Sequence, residues 1–185
     1  MLRLHAFFVM ILLALPGWSS TPTIGETLAD LAISDRGEMM LKDDKISYQE
    51  WSYPQQPGKV HIVQYMAATM AASELNKPFT DRMKTDLEHG AFFSTTILNL
   101  DDAMWGTTGF VVSEVKSNKR EHPAATLILD EDGIGREAWQ LEKDSSAVIV
   151  VDQQGIVRFA KQGPMTEQEV ESTLELIRSY MNSDA

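Results

Sequence analysis

Past residue 58 the chain alternates short apolar runs with stretches of helical periodicity. The run KVHIVQYMA (59–67) is nearly continuous and carries β-branched residues, so it predicts a central strand covered on both faces. Thr69 follows as a candidate helix cap, and Pro78 should kink or restart that helix. Phe79, Met83 and Leu87 then recur at helical spacing, with Gly90 as the expected C-terminal stop. FFSTTILNL (92–100) predicts another strand. After a glycine loop at 106–109, Phe110, Val111 and Val115 open a helix that Pro123 ends. ATLILD (125–130) is a third strong strand, and Asp132-Gly133 reads as a hairpin-type turn closing it. A short helix is expected over GREAWQL (135–141). SAVIVVD (146–152) and IVRFAK (156–161) make a hairpin about a glycine turn. Thr166 and Glu169 have the spacing of a capping box, opening a last helix with Val170, Leu174, Ile177 and Met181 on one face.

Residues 20–57 are less regular. They contain a short strand candidate, LADLAISD (28–35), a turn at Asp35-Arg36-Gly37-Glu38, a second extended piece at 39–41, and the loop YPQQPG (53–58). Strands alternating with helices, then a hairpin and a final helix, predict an α/β three-layer sandwich: a mixed central sheet flanked by helices, with an N-terminal extension.

The leader MLRLHAFFVMILLALPGWSS changes the picture of where the chain works. Arg3 gives a positive start, residues 6–15 are unbroken apolar, and Gly17 and Ser19 are small residues suited to cleavage. The apolar run is about half of the ~20 residues that a spanning helix needs. A cleaved signal over 1–19 is therefore expected, leaving one domain over 20–185, an exported location and no membrane insertion. The 185 residues suit a single domain. The net charge is −11, and −12 once Arg3 leaves, which disfavours nucleic acid and anionic lipid as partners. There is no cysteine, so no disulfide supports the fold.

Two stretches resemble known patterns. GKVHIVQYMAATMAASELNKP (58–78) resembles the strand and active-site helix of exported thioredoxin-like reductases of the TlpA type. In that resemblance Met70 and Ser73 stand where the two cysteines would be, and Pro78 where the helix-kinking proline is. The segment from 127 to 177 resembles the C-terminal half of the peroxiredoxin and TlpA pattern, with Ser146 in place of the cis-proline. Nearly end to end, the chain also resembles the YtfJ family of exported bacterial proteins. The resemblance rests on ISDRGE (33–38), GKV (58–60), DDA (101–103), SNK (117–119), DEDG (130–133), AWQL (138–141) and DSSAV (144–148). It implies a thioredoxin-like fold and a periplasmic location, and brings no established activity with it.

Thiol exchange needs a thiolate nucleophile and a second thiol to resolve the mixed disulfide. Neither Met70 nor Ser73 can supply one. What remains of the site is a candidate binding groove for a periplasmic protein or peptide, formed by Thr69, Met70, Ser73, Ser145 and Ser146. Met70 would offer an adaptable apolar contact, and the hydroxyls with free helix amides a polar one. The alternative is that Met70 plugs the groove and Thr69 only caps. Ser146, not being proline, predicts a trans bond before it.

Other chemistry is weaker. Asp101 and Asp102 form a candidate acid–base pair beside Trp105, a secondary site for an enzyme of non-thiol chemistry. Adjacent strand-end residues tend to diverge, and Trp105 is expected to fold back onto the sheet. Met66 and Met70, four apart, raise a copper-carrier reading, although no histidine is near them in sequence. Asp130 to Gly133 lacks the glutamate an EF-hand needs, since position 12 is Leu141. No G-x-S-x-G elbow is present for a serine hydrolase. No cofactor or metal is expected.

Overall fold

The computed structural model describes residues 21–54, 58–88 and 90–183. The expected signal over 1–19 lies outside them. Seven strands form one sheet in the order β2-β1-β5-β4-β3-β6-β7. They are β1 (Leu31–Lys42), β2 (Lys45–Tyr53), β3 (Val60–Ala67), β4 (Phe92–Asn99), β5 (Thr126–Asp130), β6 (Ser146–Val151) and β7 (Val157–Gln162). β3, β4 and β5 run parallel, while β6 and β7 return antiparallel beside β3. The helices are α1 (Met70–Leu75), α2 (Lys77–Asp86), α3 (Thr108–Glu121), α4 (Ile134–Ala138) and α5 (Glu167–Met181). This is the expected mixed sheet between helical layers.

The strands buried on both faces follow from their apolar runs. β3 is buried at every position but Met66, and β6 at all of its positions. On the α4 face, Trp51, Tyr65, Ile97, Ile128, Ile149 and Trp139 pack into one cluster, with the Trp139 indole N–H donating to the Ala29 carbonyl at 2.9 Å. On the opposite face, Phe79 and Met83 of α2 meet Val170 and Leu174 of α5 over β3 and β6. A separate cluster there joins Val112 and Val115 of α3 to Leu127, Leu129 and Met39. The α5 capping box forms as its sequence implies: Thr166 Oγ1 accepts from Glu169 N, and the Glu169 carboxylate accepts from Thr166 N.

Four expectations are corrected. The turn at 35–38 is a bulge inside one long strand, with Gly37 at φ +73° and the β1–β2 register shifting between Ile33 and Glu38. Asp35 holds this bulge against the β5–α4 loop by accepting from Glu131 N at 2.6 Å and Asp132 N at 2.8 Å. Arg36 adds two hydrogen bonds to Glu131, at 2.6 and 3.0 Å. β2 was not foreseen at all; it closes a hairpin through Asp43 and Asp44, both at positive φ. α2 ends at Asp86 because Leu87 is extended, so Gly90 lies beyond the helix. Asp132-Gly133 joins β5 to α4 rather than closing a hairpin, and Gly133 is the left-handed residue that starts α4.

α3 begins near its expected place, but its buried face is Val112, Val115 and Lys119, leaving Phe110 67 % exposed. The Lys119 ammonium donates to the Ala125 carbonyl where the chain turns from α3 into β5.

Candidate functional site

The end of β3 is held on both sides by backbone bonds. Ala67 N donates to Ser145 O at 2.9 Å, and Ala68 N to Asn99 O at 2.9 Å. The chain then turns outward into α1. Thr69 Oγ1 accepts from Ala72 N at 3.2 Å, and Ser73 Oγ donates to Met70 O at 2.8 Å. Both hydroxyls bond within their own short helix: Thr69 caps it, and Ser73 bonds back to the carbonyl three residues earlier. Met70 is 85 % exposed and plugs nothing.

Ser145 and Ser146 lie on the far side of this turn. Ser146 is buried, and its hydroxyl accepts from Asn76 Nδ2 at 3.1 Å. Asn76 also donates to Gly163 O and accepts from Met165 N, so it ties the α1–α2 junction to the end of β7. Ser146 is thus an internal latch rather than an open groove wall. Tyr53-Pro54 is the cis bond among the described residues, and the bond before Ser146 is trans as expected. Asn76 was not singled out from the sequence, since its partners lie about ninety residues along the chain at most and nothing local marks it.

The secondary site is built around a residue the sequence reading missed, Arg136. Asp102 is buried; its Oδ2 accepts from Asn99 Nδ2 at 2.9 Å and from Asp144 N at 3.2 Å. Its Oδ1 faces Arg136 Nε at 3.9 Å, and neither of those two atoms has a closer partner. Asp101, more exposed, accepts from Arg136 Nη2 at 3.1 Å. The pair diverges as adjacent residues do, yet both carboxylates converge on one guanidinium, which makes them a clamp for the loop.

Beneath the clamp, Asp130 is fully buried at the end of β5. Its oxygens accept from Tyr65 Oη at 2.7 Å, Ile134 N at 2.8 Å and Gly135 N at 2.8 Å. Burial pushes this carboxyl up, against the opposing pull of the Tyr65 hydroxyl and the two amides. Among the described residues no three His, Cys, Asp or Glu side chains come together as a metal site. Met66 lines a groove between α2 and α3, and Met70 does not.

Trp105 does not fold back: it is wholly exposed, with Met104 70 % exposed beside it. Together with Met70 and Phe110 they lie where the parallel strands β3 and β4 end, whose last residues, Ala67 and Asn99, are paired. This edge of the sheet thus carries large apolar side chains in solvent, and their exposure is not visible in the sequence.

The family whose model matches the chain, over residues 23–180, is described as "Bacterial protein of unknown function (YtfJ_HI0045)". The uncharacterized protein YtfJ of Escherichia coli is 38 % identical over 158 residues, covering 85 % of this chain and 86 % of that protein. An uncharacterized protein of Haemophilus influenzae is 31 % identical over 161 residues, covering 86 % of this chain and 88 % of its own length. Among solved structures, a Chlorobium tepidum protein assigned as the thiol:disulfide interchange protein DsbE matches with a TM-score of 0.58. It is 13 % identical and covers 88 % of this chain and all of its own. At that identity the likeness shows the fold, which is thioredoxin-like.

Proposed function

The chain belongs to the YtfJ_HI0045 family of bacterial proteins, and we propose that it is an exported, periplasmic binding module without thiol chemistry. It docks a protein or peptide partner on the rim where thioredoxin-like enzymes keep their reactive cysteines. One observation carries this reading: Met70, at the position the resemblance gives to a cysteine, is 85 % exposed, on the same edge as exposed Met104, Trp105 and Phe110. Single exposed apolar residues are ordinary, whereas several large ones on one edge mark a contact surface. Methionine adapts to irregular partners, and a tryptophan brings rigid apolar area at small entropic cost. Burying each such side chain contributes up to about 2 kcal/mol before association costs are set against it. The absence of cysteine supports a role without disulfide exchange. The apolar leader and the charge of −11 support export and weigh against nucleic acid.

Photo-crosslinking tests it directly. A photoreactive residue replaces Met70 in cells, with a control on the α5 surface at Glu171. A discrete adduct from position 70, lost when Trp105→Ala is added and absent from position 171, is expected. Equal labelling from both positions, or none from either in a folded and exported chain, removes the docking role from this rim.

A further inference from the structure

On the sheet face that carries α2, α3 and α5, the two apolar clusters do not meet. One stands on β3 and β6 beneath α2 and α5, the other on β5 and β1 beneath α3. β4 runs under the seam between them. It is hydrogen-bonded to a neighbour on each side, yet Phe92, Ser94, Thr96 and Leu98, which face the seam, are only half-buried. A strand inside a seven-stranded sheet ordinarily has both faces covered and an apolar sequence to match. Here two small hydroxyl residues occupy the middle of the strand, so the gap is written in the sequence as well as in the packing. It forms a groove of about 980 Å³ between α2 and α3, within the roughly 300–1,000 Å³ of ligand sites.

We propose that this groove binds a short free peptide in extended conformation, anchored by its terminal carboxylate. Ser94 and Thr96 are two positions apart on one face of β4, roughly 6.6 Å, which is also the two-residue repeat of an extended chain lying along it. Each hydroxyl can then meet the equivalent peptide group of successive residue pairs. Gln64 on the neighbouring strand is buried with its carboxamide oxygen fixed by Thr80 Oγ1 at 2.6 Å. That pins a polar group in the floor instead of leaving it to rotate. Met66 and Leu98 at one end and Phe92 at the other provide apolar contacts for alternate side chains.

The charge at the Phe92 end selects the ligand terminus. Lys84 and His122 line that end, while the Lys59 ammonium beside it is held by the Gly90 carbonyl at 2.6 Å and lies over the Phe93 ring. The acids lining the groove are Asp81 and Glu114, and Asp81 is already paired with Lys77 at 2.9 Å. Lys84 has no ion pair among the described residues. In a chain of net charge −11 this is a locally cationic end. At physiological salt, charges beyond about 8 Å are largely screened, so Lys84 decides contact.

The groove reaches Ser73 of α1 but not Met70, and the test separates it from the Met70 rim. Short synthetic peptides with free carboxyl termini are affinity-selected on the intact protein and titrated individually, each against its C-terminal amide. Amidation and Lys84→Glu should each weaken binding by at least about tenfold, a difference of roughly 1.4 kcal/mol. Thr96→Trp, which fills the seam, should abolish it, and Met70→Glu should leave it unchanged. Lys84→Glu changes an exposed position and keeps the test valid if Thr96→Trp folds poorly. Selection of no peptide, indifference to amidation and to Lys84→Glu, or loss of binding in Met70→Glu would each overturn the assignment.

Discussion

The Tyr65 phenol and the Asp130 carboxylate, at the ends of two strands with β4 between them, are joined by a 2.7 Å hydrogen bond inside the protein. Tyr65 Oη also accepts from Arg136 N at 2.9 Å, so one hydroxyl links β3, β5 and the start of α4. The Tyr65 hydroxyl is pushed well above its ordinary pKa, first by burial and then by the Asp130 charge. Tyr65→Phe removes a donor from a buried carboxylate and an acceptor from a backbone amide. It should cost roughly 1–3 kcal/mol, read as a lowered urea midpoint with unchanged slope. A midpoint equal to that of the parent would mean that the hydroxyl is not shared as the geometry states.

His61 gives a pH dependence with a definite sign. It is buried between Tyr53 and Phe93, with Nε2 at 2.8 Å from Thr95 Oγ1, and burial pushes its pKa down from 6.5 to about 4. The unfolded chain therefore binds a proton at this residue that the folded chain refuses between pH 6.5 and 4. Stability present above pH 6.5 is lost as pH falls through that window, roughly 2 kcal/mol of it by pH 5. His61→Gln does not titrate, so denaturation at pH 7 and pH 5 should show a smaller acid loss than in the parent chain. Equal losses in the two proteins would place the acid sensitivity in other groups.

Gly37 is required by the bulge in β1. A Cβ there would sit 2.2 Å from the Gln49 carbonyl oxygen, on a backbone at φ +73°. Gly25, at φ +91°, would meet nothing within 4 Å. Gly37→Ala should thus cost clearly more than Gly25→Ala, at least about 2 kcal/mol against about 1. Matching losses in thermal denaturation would show that β1 and β2 separate freely at this point.

These bulge residues show where sequence reading stops. β3, β5 and β6 were legible because they lie within the sheet and carry nearly continuous apolar runs, and β4 because apolar and β-branched residues flank its hydroxyls. β2 was not, because it is an edge strand whose residues from Lys45 to Glu50 are almost all exposed, leaving no periodic pattern. The ISDRGE segment looked like a turn because Asp, Arg and Gly are turn formers. Its Asp35 and Arg36 partners, Glu131 and Asp132, lie almost a hundred residues away. Separations of 70 and about 35 residues likewise hide the Asn76–Ser146 latch and the Arg136 clamp on Asp101 and Asp102. At the rim, the residue types were visible, but whether Met70 and Trp105 turn inward or outward is decided by tertiary packing.

Exposure orders the methionines toward oxidants. A thioether takes one oxygen from hydrogen peroxide to give a sulfoxide and water, and access sets its rate. Met70 and Met104 are 85 % and 70 % exposed, while Met39 and Met83 are buried. Peptide mapping after brief peroxide treatment should find sulfoxide at Met70 and Met104 first and at Met39 last. Because a sulfoxide is polar, the same treatment should weaken any adduct formed through the Met70 rim. Uniform oxidation along the folded chain would contradict the exposed orientation of these two side chains.

Placing cysteines at the two positions tests the resemblance that assigned them. Met70 is the first residue of α1 and Ser73 follows three positions later, on one side of the helix start. Side chains at that spacing have Cβ atoms about 5–6 Å apart, slightly beyond the ~4 Å of a disulfide, so a small adjustment of the helix start closes the bond. Neither side chain is buried, and the Ser73 hydroxyl bonds only to its own helix at Met70 O, so the exchange leaves the core intact. The Met70→Cys/Ser73→Cys chain should therefore oxidise to an intrachain disulfide in glutathione disulfide, seen as the loss of two hydrogens and of both titratable thiols. Met70→Cys/Glu74→Cys, one position further along, should oxidise less completely under the same conditions. If the first pair stays reduced while the second closes, α1 does not begin as the cysteine-bearing helix does, and Met70 and Ser73 are not the heirs of the reactive pair.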